Sequence, residues 1–104
     1  MLTANFVAIM DDKKRGQDLL LEQAKLILAS NMRRLRATRK WSQERLADEA
    51  TLHRTYVGAL ERGEQNASLE SLAKIAEALK VSIWQLLAPI EEIERLVKEL
   101  EKPN

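Results

Sequence analysis

Apolar residues return every three or four positions along nearly the whole of this chain, and nowhere do apolar and polar residues alternate over the length of a strand. A period near 3.6 buries one stripe of a helix; a period of two would bury one face of a sheet. Only three glycines and two prolines punctuate the 104 residues, so the helical pattern is interrupted at few places. The core must therefore come from helices packed on helices, within one small domain and short extensions. The expected fold is all-α.

That length suits few enzymes that need a cofactor fold beside a substrate domain. The absence of cysteine excludes disulfide scaffolds, cysteine zinc sites, iron–sulfur clusters and thiol nucleophiles. The single histidine, His53, has no His or Cys companion, so no metal and no other cofactor is expected. No Ser/His/Asp grouping and no phosphate-cradling glycine loop is present, and the chain is not read as an enzyme. At the N-terminus the apolar stretch precedes Lys13, Lys14 and Arg15 instead of following them, the reverse of a secretory signal. No run approaches the ~20 apolar residues of a membrane span. The expected location is the cytoplasm.

The net charge of +1 conceals a gradient. Residues 24–66 hold nine basic and five acidic groups, a balance of +4, between flanks of −1 (residues 1–23) and −2 (residues 67–104). A basic middle between acidic ends suggests a surface that faces a polyanion.

The first helix is expected from about residue 18 to residue 39, with Leu28, Met32 and Leu35 inward and Arg33, Arg34, Arg36 and Arg39 on its polar side. Gly16 and the mixed charges before it suggest a flexible entry. Residues 1–23 are therefore set apart as an N-terminal extension, which can continue into the helix. Ser42 is a candidate N-cap for a second helix running to about Ala50, with Trp41 and Leu46 as a hydrophobic staple. A third helix follows Thr51 and Leu52, capped by His53 and stopped by Gly63. Ser68 caps a fourth, and Ser82 with Gln85 forms a capping box for a short fifth. Pro89 suits the first turn of a last helix whose stripe is Ile90, Ile93, Leu96, Val97 and Leu100.

Helices two and three, joined by about three residues, form a helix-turn-helix pattern. Such a pair lays its first helix across the phosphate backbone and pushes the start of its second into the major groove, about 12 Å wide. Arg54 and Thr55, long and polar at the helix start, can reach base edges; the small Gly58 and Ala59 permit close approach. The run from Ser42 to Ala47, then Leu52 to Gly63, resembles the lambda-repressor/Cro-type (XRE family) helix-turn-helix domain. The later blocks Asn66–Leu69, Ile75–Ile83 and Leu86–Leu87 resemble its fourth and fifth helices, so the likeness covers about residues 25–88. His53–Tyr56, followed by Glu61–Gly63 and Asn66, is similar to the controller proteins of restriction–modification operons.

The resemblance implies a five-helix lambda-repressor-like DNA-binding domain over residues 24–88, with an N-terminal extension and an added C-terminal helix over residues 89–104. It implies that Arg54, Thr55, Gly58 and Ala59 meet bases. It gives Gln43 a phosphate and the bracing of the recognition helix, and gives Ser42, His53, Arg62 and Asn66 to the DNA backbone. Tyr56 is either a core-edge residue or a phosphate contact. Arg36 and Glu61 match a structural ion pair between helices one and three. Two residues depart from the pattern: Thr51 and Lys40 stand where relatives place glycine, and a β-branched residue at positive φ is strained by about 1–3 kcal/mol.

The implied function is a transcriptional regulator acting as a homodimer on a pseudo-palindromic site in double-stranded DNA, with half-sites about 34 Å apart. Trp84 and the stripe Ile90, Ile93, Leu96, Val97 and Leu100 are the expected dimer interface, with docking of that helix on its own domain as the rival arrangement. The alternative function is an antitoxin of the same fold, which would sequester a toxin protein and repress its own operon.

Overall fold

The computed structural model describes the backbone of residues 2–103 and the side chains of residues 12–103. Helices follow one another in these residues, with no strand among them: α1 (Leu2–Thr38), α2 (Gln43–Ala50), α3 (Arg54–Glu61), α4 (Leu69–Leu79), α5 (Ile83–Leu86) and α6 (Ile90–Glu101). Each contributes its apolar stripe to one core. Met32 and Leu35 of α1 meet Leu46 of α2, Val57 and Leu60 of α3, Ile75 and Leu79 of α4, Leu86 of α5, and Ile93 and Val97 of α6.

The helix starts follow from their caps. The Ser42 hydroxyl accepts from the Arg45 amide at 3.0 Å, and the Ser68 hydroxyl accepts from the Ser71 amide at 3.0 Å. The Gln85 side chain accepts from the Ser82 amide at 2.8 Å. His53 holds the N-cap backbone position of α3, but its side chain makes no cap bond. The helix ends are less usual. Lys40, Thr51 and Lys80 take left-handed conformations, at φ of 58°, 56° and 59°. The amides of Thr51 and Lys80 still close the last turns of α2 and α4.

Two elements differ from the sequence expectation. The helix expected from about residue 18 begins at Leu2. Gly16 does not break it: an exposed helical glycine costs about 1 kcal/mol relative to alanine, not enough to end a helix flanked by Arg15 and Gln17. The body of the domain covers α1 only from about Ala24 onward, and the side chains of residues 12–23 are exposed throughout.

The last helix also departs from its expected role. The middle of its stripe docks on its own chain, where Ile93 and Val97 are each 1% exposed, while Ile90 and Leu100 stay exposed. Arg34 of α1 grips Glu94 through two hydrogen bonds, of 2.8 and 3.1 Å. Those bonds hold the Glu94 carboxyl below the usual carboxylate range and the Arg34 guanidinium more firmly protonated. A second tie comes from buried Asn31, whose amide donates to the carbonyls of Leu86 and Ala88, both at 2.9 Å. These two interactions fix the α5–α6 corner to α1.

Candidate nucleic-acid interface

α2, the turn Thr51–His53 and α3 present one exposed edge, and its stiffness comes from behind. Glu61, at the end of α3, is 1% exposed, and its two carboxyl oxygens must find their partners inside the protein. Arg36 of α1 donates to both its oxygens, each at 2.8 Å, and Gln43 at the start of α2 donates to Oε1 at 3.0 Å. Arg36 also caps the Trp41 carbonyl at 2.8 Å, and Arg33 donates to the Glu61 carbonyl. A buried carboxylate needs such saturation, because each missing partner leaves desolvation uncompensated. The bond to Glu61 raises Arg36 further above its already high range, so the guanidinium stays charged. Three helices are thereby locked at one point, and the start of α3 is aimed outward.

Arg54 and Thr55 stand at that outward start, both exposed. The Arg54 guanidinium bonds Glu44 of α2 at 2.8 Å. Both side chains are about two-thirds exposed, so this pair is worth at most ~1 kcal/mol. Ala59 is half-buried farther along the helix.

Gly58 does not face outward with them. It is buried, and a Cβ there would stand 3.1 Å from the Arg62 guanidinium and 3.4 Å from the Gln43 side chain. The small residue makes room for Gln43 and Arg62 to lie over α3, not for a base edge. This corrects the sequence expectation: spacing along the helix put Gly58 beside Ala59, but its direction is into the α2 contact.

The residues expected at the DNA backbone spread around this edge. Ser42 is exposed and spends its hydroxyl on the α2 cap. His53, Arg62 and Asn66 are exposed; Arg62 bonds Glu64 at 3.0 Å. Half-buried Tyr56 donates its hydroxyl to the Asn66 carbonyl at 3.3 Å, tying α3 to the loop before α4. Trp84 is 64% exposed on α5, away from this edge.

Sequence reading missed two features. One is Glu44 as the partner of Arg54. The other is Trp41, whose ring meets the guanidinium groups of Arg39 and Arg45, 5.5 and 5.1 Å from its centroid. The signal for the second was present, since a tryptophan two residues after one arginine and four before another invites cation–π contact.

The edge as a whole is an open surface of hydroxyl groups and of charges of both signs, on helices held from behind. The helix-turn-helix family model matches residues 32–83. A hypothetical transcription factor of Neisseria meningitidis serogroup B is 45% identical over 71 residues, 68% of this chain and 67% of that protein. Control protein C.SmaI of Serratia marcescens is 44% identical over 70 residues, 67% of this chain and 83% of that protein. Among solved structures, the restriction–modification controller protein C.Esp1396I tetramer in complex with its natural 35 base-pair operator matches with a TM-score of 0.55 and 29% identity, over 76% of this chain and 96% of that one. With the matched segment spanning the braced α2–α3 pair, the chain belongs to the helix-turn-helix family, among its XRE-type DNA-binding transcription regulators.

Proposed function

We propose that this protein reads a pseudo-palindromic operator in double-stranded DNA as a homodimer, each subunit placing α3 in the major groove. The observation that carries the reading is the Arg36–Glu61–Gln43 lock, which holds exposed Arg54 and Thr55 at the leading end of a rigid helix. Arg54 would give up Glu44 for guanine O6 and N7. The exchange is favourable, since an exposed ion pair is worth less than ~1 kcal/mol and a bidentate guanine contact supplies ~1–3 kcal/mol of discrimination. Thr55 and Ala59 would add base contacts. Ser42, Gln43, His53, Tyr56, Arg62 and Asn66 would touch the DNA backbone, which sets register and affinity but not sequence. The controller protein C.Esp1396I bound to its operator as a tetramer supports a multimeric mode of binding. The subunit contact would use Trp84, Ile90 and Leu100, exposed on α5 and α6, with half-buried Leu96 beside them.

Selection from random duplex DNA tests this. Wild type should enrich a two-fold symmetric sequence. Arg54→Ala should relax the preference at one guanine per half-site, and Gln43→Ala should weaken binding to all sequences alike. If wild type enriches nothing, operator reading is wrong. An Arg54→Ala variant with an unchanged preference removes Arg54 as the guanine reader.

A further inference from the structure

We propose that Glu44, Glu49 and Glu64 are built-in counter-ions of the DNA-binding edge: each holds an arginine that DNA must take from it, and together they keep the affinity of the edge for duplex DNA low. Residues 41–66 contain no lysine and three arginines, Arg45, Arg54 and Arg62. Each of the three ends on an exposed carboxylate of the same edge. Arg45 Nε meets Glu49 at 2.9 Å, Arg54 Nη1 meets Glu44 at 2.8 Å, and Arg62 Nε meets Glu64 at 3.0 Å. The arginines behind the edge are committed as well, Arg33 and Arg36 to Glu61 and Arg34 to Glu94. A surface gains affinity for DNA from the cations it offers to phosphates. On this edge each arginine already has an anion within the chain.

The pairs are placed to exchange and not to hold the fold. Their six side chains are between 43% and 69% exposed, and an exposed pair of this kind is worth no more than about fivefold in an equilibrium. The buried Glu61, by contrast, is saturated from three helices and stays where it is. The three exchangeable pairs also divide the edge between them. Arg45 and Glu49 lie along α2, Arg54 and Glu44 bridge the starts of α3 and α2, and Arg62 and Glu64 close the end of α3. Any duplex laid on the edge therefore meets a guanidinium that must first leave a carboxylate. A phosphate then replaces one anion by another of like geometry, so the net gain from the contact is small.

This role needs only that the edge meets duplex DNA, not that it reads an operator, so the probe is a duplex of random sequence at fixed, near-physiological salt. Glu44→Gln and Glu64→Gln should each tighten binding about two- to fivefold, and the triple change with Glu49→Gln roughly tenfold or more. Glu99→Gln is the control for net charge. It breaks an exposed 3.0 Å pair with Lys102 on α6, which packs on α1, and adds the same charge. Its gain should be no more than about half that of Glu64→Gln, since exposed charges are screened over ~8 Å. In an Arg62→Gln background the gain from Glu64→Gln should shrink by about half or more, because the carboxylate acts through that arginine. No variant should melt higher than wild type, which separates freed arginines from a firmer fold. Equal gains from Glu64→Gln and Glu99→Gln overturn the proposal, as does a gain that persists in full without Arg62, or no gain at all. Variants that tighten on random duplex, from a wild type that selects no sequence, leave the counter-ions standing and remove the operator reading.

Discussion

Thr51 is the residue whose conformation sits most awkwardly with its chemistry. Its φ of 56° places a β-branched side chain in the left-handed region, where it crowds its own backbone, at the turn between α2 and α3. Thr51→Gly should therefore stabilise the fold by about 1 kcal/mol, raising Tm by roughly 5 °C, with the loss of strain outweighing glycine's extra freedom in the unfolded chain. Thermal unfolding of the variant checks this, and an unchanged or lower Tm would show that Thr51 is not strained. The opposite sign holds at Arg36. Arg36→Ala leaves the Glu61 carboxylate buried with Gln43 as its one remaining side-chain partner. Removing one partner of a buried pair costs about 3–5 kcal/mol. Arg45→Ala, which breaks an exposed pair with Glu49, should cost no more than ~0.5 kcal/mol through that pair. Urea unfolding of the two variants side by side tests whether burial, and not the mere count of ion pairs, sets the difference.

Among elements, α6 depends on two attachments of different kinds. Asn31→Ala would leave the carbonyls of Leu86 and Ala88 without their donor. A loss of about 1–3 kcal/mol is expected, with amide exchange rising first in α5 and α6. The Arg34–Glu94 bridge gives a pH signature. Because the folded carboxyl titrates below its unfolded value, the contribution is complete above about pH 4.3 and fades as the pH falls further. Wild type and Glu94→Gln should therefore differ in Tm near neutrality and converge in acid; a constant gap would sink the assignment. These attachments also mark where sequence reasoning stopped. Ser42, Ser68 and Gln85 announce helix starts because capping is local chemistry. The α2–α3 pair was legible because its caps, spacing and apolar stripe agree. Asn31 carried no such signal, its partners being more than fifty positions away. Periodicity identified the stripe of α6 but not what covers it, and so Ile93 and Val97 were expected at a subunit contact. Gly58 was placed on the outward face because residue spacing says nothing of Gln43 and Arg62 lying across it. Gly16 and the mixed charges before it suggest a flexible entry, although the residues around it, Arg15 and Gln17 among them, are good helix formers.

At the scale of the molecule, charge and shape are separated. The +4 balance of residues 24–66 comes from α1 and its end, where Lys25, Arg33, Arg34, Arg36, Arg39 and Lys40 stand with no acidic residue among them; residues 41–66, which hold the α2–α3 edge, carry three basic and five acidic groups. If the operator is read as proposed, binding should depend steeply on salt: for a site meeting about six phosphates or more, affinity falls roughly a thousandfold between about 50 and about 200 mM salt. A shallow dependence would show that the edge meets few phosphates. The uninterrupted course of α1 from Leu2 to Thr38 has a consequence of another kind. Arm and body are turned on one shaft, so the apolar side of the arm holds a fixed phase angle to Arg36 and, through Glu61, to α3. One residue inserted after Gln23 would rotate the arm by about 100° relative to the body. Seven inserted residues would bring it back to within about 20°. Any surface that the arm presents is thus geared to the recognition helix by helical phase, with no joint at which the two can slip.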